Sequence, residues 1–208
     1  MQPCRSLLGL GLMLALAACN PLSSLGSKPV SDYKLNPHPK QRYDITMTIA
    51  NAPGPFASVK SWMQYDVINS QCLPPPDSNL QGTSNHMTRP VPFELTRVSD
   101  TEYIGTVYTD FLLDEDYYGR GLCHWKLLNV GVDLKSTGAE KETSFLPSIS
   151  LKDLRARKAV TLHFWERGFP RSAMDDYSDS GMDDPNKFKP EIRKQLFSIT
   201  ITPKEVQP

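Results

Sequence analysis

The chain has 208 residues, with 23 basic and 23 acidic side chains, 18 prolines and four cysteines. That charge balance disfavours a nucleic-acid partner, which selects for a strongly basic face. The length is enough for one domain with a sizeable core.

Residues 1–18 have the layout of a secretory signal, with Arg5 as the positive n-region and an almost unbroken apolar run over residues 6–18. The run is about 13 residues, short of the roughly 20 needed to span a bilayer as a helix. Leu16-Ala17-Ala18-Cys19 resembles the bacterial lipobox. That resemblance implies cleavage before Cys19, acylation with palmitate-type chains, and a mature protein outside the inner membrane. Several acyl chains, at about 0.8 kcal/mol per buried methylene, anchor stably where one does not. Asn20 follows the cysteine where an aspartate would retain the protein at the inner membrane. The sorting rule therefore implies the outer membrane, with the protein facing the periplasm.

Once residues 1–18 are removed, Cys72 and Cys123 are the cysteines left besides Cys19. In an oxidising compartment such a pair most simply forms a disulfide. In the chain-entropy model, closing a loop of this size contributes about 4 kcal/mol at most. Cys72, Cys123 and His124 are too few soft ligands for a structural metal site. No metal and no cofactor is expected.

Residues 19–41, rich in Pro, Ser, Lys and Gly, read as a lipidated cysteine followed by a flexible tether. From Arg42 the pattern alternates: Tyr43, Ile45, Met47 and Ile49 against Asp44, Thr46 and Thr48. A second alternating run carries Ala57, Val59, Met63, Tyr65 and Val67. Residues 69–90 have no period and read as a loop that Cys72 pins. Val91, Phe93 and Leu95 then alternate around Pro92, which marks an edge strand. Residues 102–113 are strand-like in composition. Leu128, Val130, Val132 and Leu134 are expected on one face of the next strand. Val160, Leu162 and Phe164 define another strand, and Phe197, Ile199 and Ile201 the last. Pro190 opens one or two helical turns. The basic residues 152–158 and the acidic residues 175–184 read as solvated loops.

The expected architecture over residues 42–208 is all-β: a single antiparallel β-sandwich or open barrel of about seven or eight strands. There is no fixed-period repeat, which disfavours a propeller or solenoid.

The sequence carries no GxSxG, HExxH or SxxK signature, so no catalytic residue is assigned. Residues 176–181 open like an EF-hand loop, but Lys187 stands where a bidentate Glu is required. The loop of residues 114–125 (DEDYYGRGLCHW) is the candidate interface. Tyr117, Tyr118 and Arg120 lie beside Asp114, Glu115 and Asp116, and aromatic and Arg side chains anchor protein contacts. The two tyrosines are expected to be exposed, while Trp125 fits either the core or the interface. A disulfide to Cys72 would pre-organise the loop and lower the ordering cost of binding.

Cys72-Leu73-Pro74-Pro75, Thr109-Asp110 with residues 113–121 (LDEDYYGRG), and Cys123-His124-Trp125 resemble lipoproteins encoded beside secreted antibacterial toxins in proteobacteria. Those proteins are immunity factors of type VI or related secretion systems. The resemblance covers residues 43–202. It implies a non-enzymatic lipoprotein that neutralises an envelope-targeting effector, such as a lipase or peptidoglycan hydrolase, by steric occlusion. The alternative reading is a structural or assembly lipoprotein of an envelope or secretion machine.

Overall fold

Alternating β-branched and aromatic residues pair into two sheets in the computed structural model, which describes residues 33–75 and 86–206. The signal of residues 1–18, Cys19 and the tether up to residue 32 lie outside the described residues. No helix among the described residues is long and apolar enough to cross a membrane.

The first sheet is built on β1 (Arg42–Ala50) and β11 (Leu196–Val206), which pair antiparallel in unbroken register from Arg42↔Val206 to Ala50↔Ser198. Its order is β4 (Leu95–Arg97), β5 (Glu102–Tyr108), β1, β11, β9 (Val160–Trp165). Ile45, Met47, Ile49, Phe197, Ile199 and Ile201 turn inward and are buried. On the opposite face Thr46 faces Thr202 and Thr48 faces Thr200 across the ladder. There the Thr161 and Thr200 hydroxyls lie 2.8 Å apart.

The second sheet centres on β2 (Ser58–Val67) and β6 (Trp125–Lys135). Its order is β10 (Ser178–Asp179), β7 (Ser144–Phe145), β6, β2, β3 (Thr88–Pro92), with β8 (Ser148–Ser150) also on β6. All pairs are antiparallel except β10 with β7. As expected for a strand holding Pro92, β3 lies at an edge, and Pro90 sits two residues before it. Residues two apart in a strand point their nitrogens to the same side, so both prolines can face the open edge. The chain then crosses at Phe93 from β3 in one sheet to β4 in the other. Val91 and Leu95 therefore belong to different sheets, not to one alternating strand.

The eleven strands among the described residues outnumber the seven or eight expected. The surplus consists of two- and three-residue pieces, β4, β7, β8 and β10, too short to carry a period. The all-β sandwich itself stands, with the core between the sheets.

Two expectations are corrected. Leu127, not Leu128, faces the core with Val130, Val132 and Leu134. The register with β2 shifts between Gln64↔Asn129 and Tyr65↔Leu127, leaving Leu128 as the extra residue of a β-bulge. One inserted residue reverses the inward phase of everything before it. Residues 152–158 are not all loop, because α1 (Leu151–Arg155) packs Leu151 and Leu154 inward. Ser150 caps it, its hydroxyl accepting from Asp153 N–H at 3.1 Å.

The domain is also joined from Lys34 rather than Arg42. Asn36 N–H donates to Phe111 O at 2.8 Å, and Leu113 N–H donates to Lys34 O at 2.9 Å. The Asp110 carboxylate accepts from Lys40 and Gln41 N–H at 2.9 and 3.0 Å. Residues 34–41, expected in the tether, run against residues 109–113. Polar side chains that suggested a linker join in: Asn36 Nδ2 donates to Asp110 O at 2.9 Å, and Gln41 Oε1 accepts from the Thr109 hydroxyl at 2.5 Å.

The two ends of the sandwich are closed differently. At one end Val67 pairs with Trp125 and the Cys72–Cys123 disulfide lies beyond them. At the other, Phe145 packs against Phe56, Phe164, Phe169 and Phe197 at centroid distances of 5.2–6.4 Å.

Candidate functional site

Cys72 and Cys123 are joined, with Cα atoms 5.3 Å apart, as expected. Around them a small second core gathers Val67, Leu73 and Tyr117, with Met87, Tyr118 and Trp125 at its margin. Asn69 ties the two crosslinked segments together: its Nδ2 donates to Leu122 O, and its Oδ1 accepts from His124 N–H, both at 2.7 Å. Ile68 N–H donates to His124 O at 3.0 Å. Residues 115 and 123 form an antiparallel bridge, with Cys123 N–H on Glu115 O at 2.9 Å. Residues 116–122 are thereby a closed loop held at its base.

The acidic side chains of this loop are engaged inside it. Asp114 Oδ2 lies 2.8 Å from His124 Nδ1, and its Oδ1 accepts from Trp125 N–H at 2.9 Å. Glu115 pairs with Lys34, and that bond raises the Lys34 ammonium above its ordinary value. Asp116 Oδ1 accepts from Arg120 N–H at 2.9 Å and from Tyr118 N–H at 3.3 Å. Loss of water opposes ionisation of Asp116, but the amides of Arg120, Gly121, Tyr118 and Gly119 outweigh it and hold the carboxyl below the usual range. Gly119 and Gly121 take positive φ, at 69° and 99°, and so form the tight turn that a side chain would strain.

The expected exposure of the two tyrosines is corrected. Tyr117 is buried, its hydroxyl donating to Leu113 O at 2.6 Å and accepting from Lys34 N–H at 3.1 Å. Its ring meets Trp125 edge-on at 6.4 Å. Tyr118 is half-buried, its hydroxyl 3.4 Å from Met87 Sδ. A phenol with two backbone partners inside a small apolar core gains more from staying than from waiting for a partner protein. Asp114, Asp116 and Arg120 are the exposed members of the six expected contact residues, and among the described residues Arg120 is the one whose side chain makes no hydrogen bond or ion pair.

Two exposed residues near the disulfide were missed in the sequence. Ile68 is 61% exposed and Leu122 54% exposed, on the two segments that Asn69 joins. Leu122 is legible afterwards as an apolar residue adjoining a crosslinked cysteine inside a polar loop. Ile68 is not, because it looks like the continuation of β2.

The acidic residues 175–184 go separate ways. Asp176 accepts from Lys141 N–H at 3.1 Å, Asp179 from Gly181 N–H at 2.9 Å, and Asp183 pairs with Lys187. The lysine at the twelfth position thus neutralises a carboxylate of the same segment. Among the described residues no three His, Cys, Asp or Glu side chains gather as a metal site.

A shallow trough of about 620 Å³ lies on the outer face of the first sheet, where Asp44 is held by Arg42 and Thr106. Compared with known proteins, the chain matches no family model, no curated protein and no solved structure.

Proposed function

We propose that this protein is a lipoprotein anchored through Cys19 to the outer membrane, facing the periplasm, whose disulfide end binds and neutralises a secreted envelope-targeting effector by steric occlusion. The observation that supports the reading is the pre-organisation of residues 114–124. A disulfide, an antiparallel bridge and internally satisfied carboxylates fix the loop, so little conformational entropy is lost when a partner docks. The loop exposes Arg120 and the apolar Leu122, and the neighbouring crosslinked segment exposes Ile68. Arginine is among the side chains that carry most interface energy, and exposed apolar groups gain from removal of their surface from water. Asp114, Glu115, Asp116, Tyr117 and Tyr118 act in this reading as the support that aims Arg120.

The test is survival of cells lacking the protein when mixed with secretion-competent siblings. Poisoning of the deletion strain is expected, with rescue by the wild-type chain and no rescue by a folded Arg120→Glu/Leu122→Asp variant. Unchanged survival would remove the proposal. Failure of secretion or of envelope integrity would instead support the assembly-lipoprotein reading. Bare, unacylated residue 19 in the mature protein would overturn the anchor.

A further inference from the structure

At the phenylalanine end of the sandwich, away from the disulfide, β9 and the C-terminal turns enclose a cleft of about 380 Å³. Small-molecule sites generally fall between about 300 and 1,000 Å³. Its apolar wall is Trp165, Tyr177, Met182, Phe188 and Ile192, with Asp179 set among them. We propose that this cleft binds a small organic ammonium compound, its apolar body against the aromatic and aliphatic wall and its protonated nitrogen on Asp179. The inference goes beyond the effector-binding reading and does not rest on it.

The walls are fixed before any ligand arrives. Met182 exchanges both backbone hydrogen bonds with His163 of β9, at 2.7 and 2.9 Å. Leu146 N–H donates to Asp179 O at 2.7 Å, and β10 lies parallel on β7. The turn Pro190–Ile192 supplies the remaining side. Gly181 is required here: it takes φ of +70°, and a Cβ at that position would fall 2.7 Å from Phe164 Cζ.

Charge selects the ligand. Asp179 Oδ1 accepts from Gly181 N–H at 2.9 Å, and its Oδ2 has no hydrogen-bond partner among the described residues. Burial pushes its carboxyl above the usual carboxylate range, with the Gly181 amide opposing. A half-buried carboxylate with one open oxygen gains from a cation and loses from an anion. Arg167 also lines the cleft, but its side chain is exposed to water and turned over the Trp165 ring, 5.9 Å from the centroid. The rings of Tyr177 and Phe188, which also line the cleft, add a weaker attraction for the same sign of charge as the ligand's ammonium. Tyr177 and Met182, two residues of the cleft's apolar wall, are 38% and 45% exposed and so accessible to a ligand.

The purified protein should be titrated calorimetrically with 2-phenylethylamine, and with 2-phenylethanol and 3-phenylpropionate as neutral and anionic probes of similar size. Saturable binding of the amine is expected, about tenfold weaker binding of the alcohol and none of the carboxylate. Asp179→Asn, which retains an oxygen for Gly181 N–H, should erase the preference for the amine while leaving the alcohol's affinity unchanged. Ile192→Trp, which fills the cleft, should abolish binding of both. Thermal unfolding establishes that each variant is folded. Absence of saturable amine binding, equal or tighter binding of the carboxylate, or an undiminished amine preference in a folded Asp179→Asn variant would each overturn the proposal.

Discussion

Asp114 and His124 are ten residues apart in the chain and in direct contact, with Oδ2 2.8 Å from Nδ1. The other carboxylate oxygen holds Trp125 N–H, so one side chain fixes the strand entry on the far side of the disulfide loop. Asp114→Ala removes both bonds and leaves a backbone amide to find water. A loss of about 1–3 kcal/mol is expected. In a domain of this size that lowers the melting temperature by roughly 2–4 °C per kcal/mol, read by circular dichroism. Arg120→Ala should leave the melting temperature unchanged, since its side chain is exposed and makes no hydrogen bond or ion pair among the described residues. An equal fall for both variants would contradict the division into support and contact.

The disulfide closes a sequence separation of 51 residues around a core of few apolar groups. Cys72→Ser/Cys123→Ser should lose about 2–4 kcal/mol in denaturant unfolding. The loss should also be local. Limited proteolysis is expected to cut within residues 114–124 before any cut in β1 or β11, because the Ile49-to-Tyr43 core does not depend on the crosslink. First cleavage in those strands would show that the disulfide supports the whole sandwich.

Trp62 and Gly131 face each other across β2 and β6. A Cβ at residue 131 would lie 2.7 Å from Trp62 Cε2, so the indole ring occupies the space that any other residue would need. Gly131→Ala should destabilise the protein by about 1–3 kcal/mol through forced movement of that ring. Trp62→Leu should relieve most of the clash, making the double variant more stable than the sum of the single losses. Additive losses would rule out the ring as the obstacle.

Two carboxylates should give opposite pH signatures. Burial opposes ionisation of Glu142, but Thr137 N–H, the Thr137 hydroxyl and Gly138 N–H outweigh it and hold the group below its ordinary 4.5. Its contribution is therefore present above pH 4.5 and lost as pH falls through the lower folded value. The stability gap between the wild type and Glu142→Gln should narrow on acidification. Asp179 is raised instead, so ionisation disfavours folding once pH passes its ordinary 3.8. Asp179→Asn should match the wild type below that pH and exceed it at neutrality. Urea midpoints from pH 3 to 7 read both, and the same sign for the two residues would refute the assignment.

The strictly alternating strands were legible because each buries one face over its whole length. Tyr43 to Ile49 and Phe197 to Ile201 carry a period of two that no other structure satisfies. Pro92 announced an edge, and the pair Cys72 and Cys123 announced their bond. The signal also failed locally where one residue changed the phase. The bulge at Leu128 moved Leu127 inward, and the crossing at Phe93 divided one apparent strand between two sheets.

The candidate interface was found in outline and misread in detail. Residue types identified residues 114–120 as a place where aromatics, arginine and acid concentrate, but type does not say which groups are already satisfied. Tyr117 is withdrawn by Leu113 O and Lys34 N–H, and Lys34 lies in a segment whose composition suggested a free tether. By itself the sequence determined the alternating strands, the crosslink and the all-β class, since these follow from local period and covalent chemistry. The tertiary structure alone decided which charges remain free and which cavities exist, because both depend on partners distant in the chain, as Gly181 does on Phe164 and Asp114 on His124.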